Sequence, residues 1–229
     1  MNKVPKNSEL RFAVLSTDTT LFTVRDKQLF VRLVAIHRPP YYQNAWGLPG
    51  GLVHPSETAE IAALRHLKEK SHIDPRKIYV EQLFTFSKVD RDPRGRVVAV
   101  AYLALVPWEA LSTPEQEDTD DSKWVPVTRA TKLAYDHDEI LSVGTKRLRS
   151  RLTYTTLISK LMPEEFTLTE LEVAYECILK AGLDKRNFRK KILKLDVLKE
   201  SPYKRSGDKH RPAQFYSFVS KKVHEIEVI

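Results

Sequence analysis

The chain has 229 residues, which suits two small domains or one large one, and a hydrophobic fraction of 41% is sufficient for a packed core. One cysteine excludes an internal disulfide framework, so we expect a protein of the reducing cytoplasm. The first ten residues lack the apolar region of a signal peptide, and the longest apolar run, 97–108, is too short to span a bilayer. We therefore expect no membrane partner.

The first half of the chain predicts a β-sheet. Residues that favour strands are concentrated in five runs: 12–15, 21–24, 29–36, 79–86 and 97–106. Residues 25–28 are typical of a hairpin turn between the second and third runs. The last run is almost wholly apolar, so we expect it to be buried on both faces.

One helix is predicted within this sheet region, over 57–71. Ile61, Leu64 and Leu67 recur every three residues, and Ser56 or Thr58 can cap the helix. Strands combined with one marked helix predict an α+β sandwich.

The pattern becomes helical after residue 144. Helices are predicted at 148–162, at 167–180 with Gly182 just beyond, and at 184–195 with Asp184 as the N-cap. A basic segment with a turn at 206–208 and a strand at 213–219 follow. Three helices and then a hairpin are typical of a winged helix, so we predict two domains, residues 1–150 and 151–229.

The net charge of +8 is concentrated in one segment. Residues 185–211 contain eleven basic and three acidic residues, and the difference of +8 equals the excess of the whole chain. Such a patch indicates a polyanionic partner, although a solvated helix face explains the charge equally well.

The most specific motif starts in the loop Trp-Gly-Leu-Pro-Gly-Gly at 46–51. Five residues separate Gly51 from Glu57, and seven more separate Glu57 from Arg65. This spacing resembles the signature of the Nudix hydrolases, and the resemblance implies their α/β/α sandwich for the N-terminal domain. Three positions differ from the signature: His66 and Lys70 replace glutamates, and His72 replaces a glycine.

These replacements affect the chemistry that the resemblance implies. Nudix enzymes split a pyrophosphate linked to another group with Mg²⁺ or Mn²⁺, which require carboxylate oxygens. Positions i and i+4 share a helix face, so the family's glutamate pair converges on the metal. Here that pair is His66 and Lys70, and a charged lysine is not a metal ligand. We therefore expect no metal site, no required cofactor and no hydrolase activity.

The remaining signature residues have structural explanations. We expect Glu69 to pair with Arg65 or Lys68 as an ordinary helix carboxylate, and His66 to be a hydrogen-bonded structural residue. For Lys70 two interpretations stay open: a solvated helix lysine, or an ammonium that neutralises the phosphates of a ligand in place of the metal.

The resemblance extends to 81–106 and 133–141, which are similar to ADP-ribose-type Nudix proteins. It implies a pocket for ADP-ribose or a related nucleoside diphosphate sugar. Tyr41, Tyr42 and Trp46 are candidates for the adenine contact. The predicted ligand-binding residues are Arg38, Trp46, Gly51, Glu57, Arg65, Glu69, Lys70, Arg96 and His137.

The C-terminal half resembles the Nudix-related transcriptional regulators of the NrtR type. The segments that carry this resemblance are 166–171, 175–176, 183–193 and 211–216. The resemblance implies a Nudix effector domain joined to a winged helix-turn-helix domain in a homodimer. It also implies repression of NAD-metabolism genes, with ADP-ribose or a related compound as the signal.

The predicted DNA contacts follow from general rules. Polar residues in the first turns of a recognition helix enter the major groove, where arginine can bind guanine and asparagine adenine. Basic wing residues contact phosphates. Thr167 and Thr169 can contact a phosphate, although N-capping explains them at least as well. The predicted set is Thr167, Thr169, Lys185, Arg186, Asn187, Arg189, Lys190, Lys204, Arg205, Lys209, His210 and Arg211.

The leading hypothesis is a homodimeric repressor that binds double-stranded, palindromic operator DNA and responds to a nucleotide-sugar effector, ADP-ribose. One alternative is an active ADP-ribose or nucleoside diphosphate sugar pyrophosphatase whose basic tail serves another purpose. Another is a sugar-responsive regulator of the same architecture. The sequence disfavours the hydrolase, because of His66 and Lys70, and leaves the other two open.

Overall fold

The computed structural model describes residues 12–207 and 210–226, with the backbone alone for 203–207 and 210–212. The helices are α1 (Ala59–Ser71), α2 (Thr113–Gln116), α3 (His137–Tyr154), α4 (Leu168–Leu179) and α5 (Lys185–Lys194). The strands are β1 (Val14–Arg25), β2 (Gln28–Arg38), β3 (Tyr42–Gly47), β4 (Gly50–Leu52), β5 (Tyr79–Phe86), β6 (Val97–Leu105), β7 (Ser122–Pro126), β8 (Phe166–Thr167), β9 (Leu198–Gly207) and β10 (His210–Phe218).

Seven strands form the mixed sheet of the first half, in the order β3-β2-β1-β6-β5, with β4 paired to β1 and β7 to β2. Strands β1 and β6 are parallel, and the remaining pairs are antiparallel. The predicted hairpin is confirmed: Asp26 and Lys27 take positive φ values of 49° and 58°, as a tight hairpin turn requires. Strand β6 is buried or half-buried along its whole length, as predicted.

Strand β1 corrects the prediction of two separate strands at 12–15 and 21–24. The polar stretch Ser16–Thr20 interrupts the apolar pattern in the sequence, but these side chains are buried and the strand continues through them. Among these buried side chains, Thr20 donates a hydrogen bond to the carbonyl oxygen of Tyr102 at 3.1 Å and Asp18 has an ion pair, whereas the hydroxyls of Thr17 and Thr19 have no partner among the described residues.

Helix α1 begins two residues later than predicted. Thr58 caps it, and its side chain accepts a hydrogen bond from the backbone N–H of Ile61 at 3.2 Å. Leu67 is fully buried and Leu64 half-buried, whereas Ile61 is 55% exposed, so the three-residue recurrence overstated the apolar face.

Helix α3 corrects the bounds of the predicted helix at 148–162. It starts eleven residues earlier, ends at Tyr154, and gives way to a 3-10 helix at Thr156–Lys160. Its early turns are polar on the exposed side, which hid them from a search for apolar periodicity. The predicted domain boundary between 150 and 151 falls inside this helix, and one continuous core contains Ile140 and Leu148 of α3 together with Ile178 of α4.

The second half combines α4, α5 and a small sheet in the order β8-β10-β9. Asp184 caps α5 as predicted, accepting a hydrogen bond from the N–H of Asn187 at 2.8 Å, and Phe188 and Ile192 are buried. Helix α4, predicted over 167–180, spans Leu168–Leu179, and its C-cap Lys180 takes the left-handed conformation with φ 56°. Strands β9 and β10 form the predicted antiparallel wing, with β10 beginning three residues earlier than expected.

Two folding units thus share helix α3, and together they form an α+β protein with a C-terminal winged helix, as the sequence indicated. None of the helices within 12–207 and 210–226 combines the length and apolar character that crossing a bilayer demands.

Candidate ligand cavity and nucleic-acid interface

A cavity of about 470 Å³ opens between the sheet, the start of β4 and helix α1. Side chains from four places converge on it: strands β1 and β2, helix α1, the segment after β5, and the turn that leads into α3. Its polar and charged lining residues are Ser16, Asp18, His37, Arg38, His54, His66, Glu69, Lys70, His72, Arg91, Asp92, Arg94, Asp121, Tyr135 and His137.

Lys70 lies in the wall of this cavity. Its ammonium donates a hydrogen bond to the carbonyl oxygen of Gly50, at the start of β4. Burial lowers the pKa of Lys70, and the nearby Arg38 guanidinium lowers it further. This placement argues against a solvated helix lysine, which would have neither the burial nor the backbone partner. The other interpretation, an ammonium that neutralises the phosphates of a ligand, stays a prediction.

Gly51 explains how α1 approaches the loop so closely. A Cβ atom at this position would lie 2.7 Å from Cε1 of His66 and 3.2 Å from Nζ of Lys70. Any other residue would push the two side chains that replace the signature glutamates away from the cavity. Glycine is therefore needed here for close packing.

The two signature glutamates that remain are both bound by Arg65. Its guanidinium contacts Glu57 at 2.5 and 3.0 Å and Glu69 at 3.1 Å. The hydrogen bond from Arg65 lowers the pKa of Glu57 to about 2, so this carboxylate is ionised and fully engaged. The predicted pairing of Glu69 with Arg65 is confirmed.

His66 is buried, and its Nε2 lies 3.1 Å from the carbonyl oxygen of Leu52, as expected of a structural histidine. Burial and the adjacent Lys70 lower its pKa below the ordinary 6.5, so the imidazole is neutral at neutral pH. The residues at the signature positions do not fit Mg²⁺. Within the part of the chain that the structure describes, no three acidic, histidine or cysteine side chains are arranged to hold a metal ion.

The base of the cavity is a buried network of charges centred on Asp18. Its carboxylate lies 3.0 Å from Nη2 of Arg91 and 3.3 Å from Nε2 of His137, and Arg91 also binds Asp136 at 2.6 Å. Nδ1 of His137 accepts a hydrogen bond from the N–H of Leu48 at 2.8 Å, so the ring proton is on Nε2 and faces Asp18.

This network fixes the charge state of Asp18. Burial alone raises the pKa of its carboxyl, but His137 and Arg91 outweigh that effect and lower it below the ordinary 3.8. Sequence reasoning found His137 and missed Asp18, although an acidic residue in the middle of an otherwise buried strand is a signal that could have identified it.

Five of the predicted ligand-binding residues line the cavity: Arg38, Gly51, Glu69, Lys70 and His137. The four that do not are Trp46, Glu57, Arg65 and Arg96. Their roles in ligand binding stay predictions.

The four outside the cavity wall have other contacts. The Trp46 ring is covered by Nζ of Lys123 at 3.7 Å, and Arg96 donates to the carbonyl of Ser87 at 2.9 Å. The Tyr42 ring packs against the Tyr135 ring at a tilt of 58°, with centroids 4.6 Å apart, and so contacts a lining residue.

Sequence reasoning also missed Arg91 and Arg94 as lining residues, although it had singled out the segment that contains them. Arg94 binds Asp92 at 2.7 Å, and its guanidinium lies 5.5 Å from the Tyr135 ring centroid. With Arg38 and Lys70 they give the cavity four cationic side chains. Four carboxylates, those of Asp18, Glu69, Asp92 and Asp121, also line the cavity, and Arg91 and Arg94 are paired with aspartates. Arg38 and Lys70 are the lining cations without an ion pair among the described residues, and such groups are suited to a phosphate-bearing ligand.

The second site is the outer surface of α5. Phe188 and Ile192 pack inward, so the opposite face carries Arg186, Asn187 and Lys190, all of them exposed. Among the described residues none of these three side chains has a hydrogen bond or ion pair. Unpaired donors on a helix are suited to base edges and phosphates of a nucleic acid.

The other two predicted residues of α5 are bound within the protein. Nζ of Lys185 lies 3.2 Å from Glu172 of α4, and Nη2 of Arg189 lies 3.5 Å from the same carboxylate and donates to Thr169 at 3.0 Å. Thr167 forms the capping box of α4 with Glu170 and is buried. The capping interpretation of Thr167 is thus correct, and a phosphate contact there stays a prediction.

The wing residues are described only in part. Lys204 and Arg205 lie on β9 and pair with Gln214 and Ala213 of β10. Their side chains, and those of His210 and Arg211, lie outside what the structure describes, as does the whole of Lys209. DNA contacts by the wing stay a prediction.

Comparisons with known proteins find a matching family for each half of the chain. Residues 16–143 match the family described as the NUDIX domain, and residues 158–218 match the NrtR DNA-binding winged helix domain. The chain is 36% identical over 219 residues to the "ADPR responsive transcriptional repressor NtrR" of Acinetobacter baylyi, covering 93% of this chain and 85% of that protein.

A crystal structure of Shewanella oneidensis NrtR complexed with a 27mer DNA superposes with a TM-score of 0.78 at 34% identity, covering 89% of this chain and 93% of that one. The NUDIX domain of the same protein complexed with ADP ribose matches with a TM-score of 0.54 at 34% identity, over 63% of this chain and 94% of that one.

An enzyme is also related to the first half. The "ADP-ribose pyrophosphatase" of Methanocaldococcus jannaschii is 32% identical over 101 residues, which cover 44% of this chain and 57% of that protein. The match to the Acinetobacter baylyi repressor instead runs through both halves. The chain therefore belongs to the NrtR family of transcriptional regulators, in which a Nudix domain is joined to a DNA-binding winged helix.

Proposed function

We propose that this protein is a homodimeric repressor that binds operator DNA through α5 and the wing. ADP-ribose, or a related nucleoside diphosphate sugar, occupies the cavity and changes that affinity. The genes it controls are those of NAD metabolism, and it works in the cytoplasm, where the operator DNA is. The Acinetobacter baylyi relative, which responds to ADP-ribose, supports this assignment.

One observation carries the proposal: helix α3 connects the two sites physically. Its first residue, His137, forms part of the cavity base, next to Asp18. Three turns later Nε of Arg149 donates to the carbonyl oxygen of Ile178, in the last turn of α4, at 2.7 Å. A ligand that shifts His137 therefore acts on the helix against which α5 packs, and both sites can bias one two-state element.

The test uses the purified full-length chain and DNA selected from a random pool. The enriched duplex should be a palindrome, because each half of a symmetric dimer reads one half-site. Fluorescence anisotropy should then give a different operator affinity with and without ADP-ribose, whereas phosphorylated monosaccharides should have no effect. A response to a phosphorylated sugar and none to ADP-ribose would establish the sugar-responsive alternative instead.

We further propose that the Nudix domain binds its ligand without hydrolysing it. With Glu57 and Glu69 held by Arg65, the signature has no free carboxylate pair, and the ammonium of Lys70 repels a divalent cation. The same ammonium can neutralise one phosphate of the ligand directly. It then supplies part of the charge that the metal supplies in a pyrophosphatase.

Inactivity is measurable as the absence of AMP. Incubation with ADP-ribose and Mg²⁺ or Mn²⁺ should release no AMP above a protein-free control over several hours. Turnover that increases in proportion to protein concentration and stops with EDTA would instead support the pyrophosphatase alternative. The similarity to the archaeal ADP-ribose pyrophosphatase is the reason to test that alternative.

A further inference from the structure

The side chain of Glu172 is the least expected feature of the winged-helix domain. It projects from α4 with only 1% of its surface exposed, between two helices of a basic domain. A buried carboxylate is costly unless cations compensate it. The cations that pair with it, Lys185 and Arg189, both belong to α5, the helix predicted to read DNA. The Lys185 side chain is 69% exposed, and its ion pair with Oε1 of Glu172 lacks hydrogen-bond geometry.

The contacts separate the polar surface of α5 into two stripes. Lys185 and Arg189, four residues apart on one flank, turn toward Glu172. Arg186, Asn187 and Lys190 lie opposite Phe188 and Ile192 and have no partner among the described side chains. We call the first pair the inner stripe and the other three residues the outer stripe.

The inner stripe is held by more than one contact. The Arg189 guanidinium donates to Thr169 at 3.0 Å as well as lying 3.5 Å from Glu172, so two residues of α4 fix its orientation. Its Nε atom is buried and lacks a hydrogen-bond partner, although 42% of the side chain is exposed. A contact between this guanidinium and a base edge would therefore require breaking its contacts with Thr169 and Glu172.

We propose that Glu172 is a positioning residue that determines DNA specificity: it withholds Lys185 and Arg189 from DNA and orients α5 so that the outer stripe enters the groove. This inference rests on the proposed operator binding. It adds that the outer stripe of the recognition helix contacts DNA, whereas the inner stripe contacts Glu172. It differs from the sequence-based expectation that Lys185 and Arg189 contact DNA together with Arg186, Asn187 and Lys190.

The carboxylate has a further consequence for binding to random DNA. Lys185 and Arg189 are close enough to the outer stripe to grip phosphates if they were free, and phosphate contacts strengthen binding to every sequence equally. Glu172 neutralises them, so it lowers nonspecific affinity while leaving base contacts intact. The ratio of operator affinity to random-duplex affinity rises as a result.

The main experiment compares the wild type with Glu172→Gln, which keeps the shape of the side chain and removes its charge. Anisotropy titrations on operator and random duplexes at several salt concentrations give both affinities and their salt dependence. We expect random-duplex affinity to rise about tenfold, and the slope of log K against log salt to steepen by about one to two units, one for each released cation. The operator-to-random ratio should fall by a similar factor.

The matched control is Glu164→Gln, which makes the same change in net charge at an exposed position before β8. It should leave the operator-to-random ratio within about twofold of the wild type and the salt slope unchanged, because long-range charge alone is screened. Glu172→Gln could instead weaken binding to both duplexes in equal proportion and leave the slope of log K against log salt unchanged. Glu172 would then be only a stabilising residue, and the proposal would be wrong.

A second pair of variants changes two exposed positions of α5 and leaves Arg189 in place to compensate Glu172. Lys185→Gln should change the operator-to-random ratio by less than about twofold, whereas Arg186→Gln, its neighbour, should lower the ratio about tenfold or more. Equal losses of specificity would overturn the division into stripes. A wild type that prefers no sequence at all would count against operator binding itself rather than against the role of Glu172.

Discussion

The cavity and the recognition helix use charged side chains in opposite ways. In the cavity base Asp18, Arg91 and His137 are buried and satisfy one another before any ligand arrives. On α5 the outer stripe of Arg186, Asn187 and Lys190 is exposed and has no partner within the described part of the chain. A small ligand is recognised by a preformed enclosure, whereas a DNA duplex is recognised by donors left unpaired on a surface.

The two regions also differ in what a substitution should cost. Removing one member of a buried charge network leaves the others uncompensated, which destabilises the fold as well as the site. Removing an exposed donor leaves the fold intact and weakens binding alone. Three variants, ordered from the largest expected effect to the smallest, test this contrast.

Asp18→Asn should lower the free energy of unfolding by about 3 kcal/mol at pH 7, because Arg91 and His137 lose a buried anionic partner. Urea denaturation measures this. Asp120→Asn, at an exposed position near the cavity, is the control and should change stability by less than about 0.5 kcal/mol.

The same variant should alter the dependence of stability on pH. The folded pKa of Asp18 is below its ordinary 3.8, so the carboxylate contributes stability above pH 3.8 that is lost as pH falls through the folded pKa. Asp18→Asn should therefore reduce the loss of stability in acid. If the free energy of unfolding falls as steeply with decreasing pH in the variant as in the wild type, Asp18 is not held ionised by its neighbours.

Lys70→Ala should weaken ADP-ribose binding by roughly 1–3 kcal/mol, the scale of a hydrogen bond to a charged group, and leave ligand-free operator affinity unchanged. Isothermal titration calorimetry gives the first quantity. Lys68→Ala is the matched control, since Lys68 is exposed on the same helix and outside the cavity. Equal affinities in all three proteins would assign Lys70 a purely structural role.

Arg205→Ala should have the smallest effect, about 1 kcal/mol, on both operator and random duplexes, and should flatten the slope of log K against log salt by about one unit. A wing residue that grips phosphate gives no sequence information, so the two duplexes should respond alike. A loss confined to the operator would mean that this residue of the wing also reads bases.

Local patterns in the sequence determined much of the outcome. The spacing from Gly51 to Arg65 predicted α1 and its place beside a pocket, and Asp184 with Phe188 and Ile192 predicted α5 almost to the residue. Capping and helical periodicity depend on residues only a few positions apart, so they can be recognised in the sequence without knowledge of the fold. The identity of His66 and Lys70 predicts the loss of a metal site from the sequence alone, and that expectation stays a prediction.

The tertiary structure alone decided which charges meet. Asp18 and Arg91 are 73 residues apart in sequence, and Glu172 reaches Arg189 from a different helix, so neither contact has a periodicity that could reveal it. The same is true of α3, whose polar first turns became recognisable only when His137 was seen against the cavity and Arg149 against α4. Sequence spacing specifies a face of a helix, but burial decides which distant partner that face meets, and burial is a property of the whole fold.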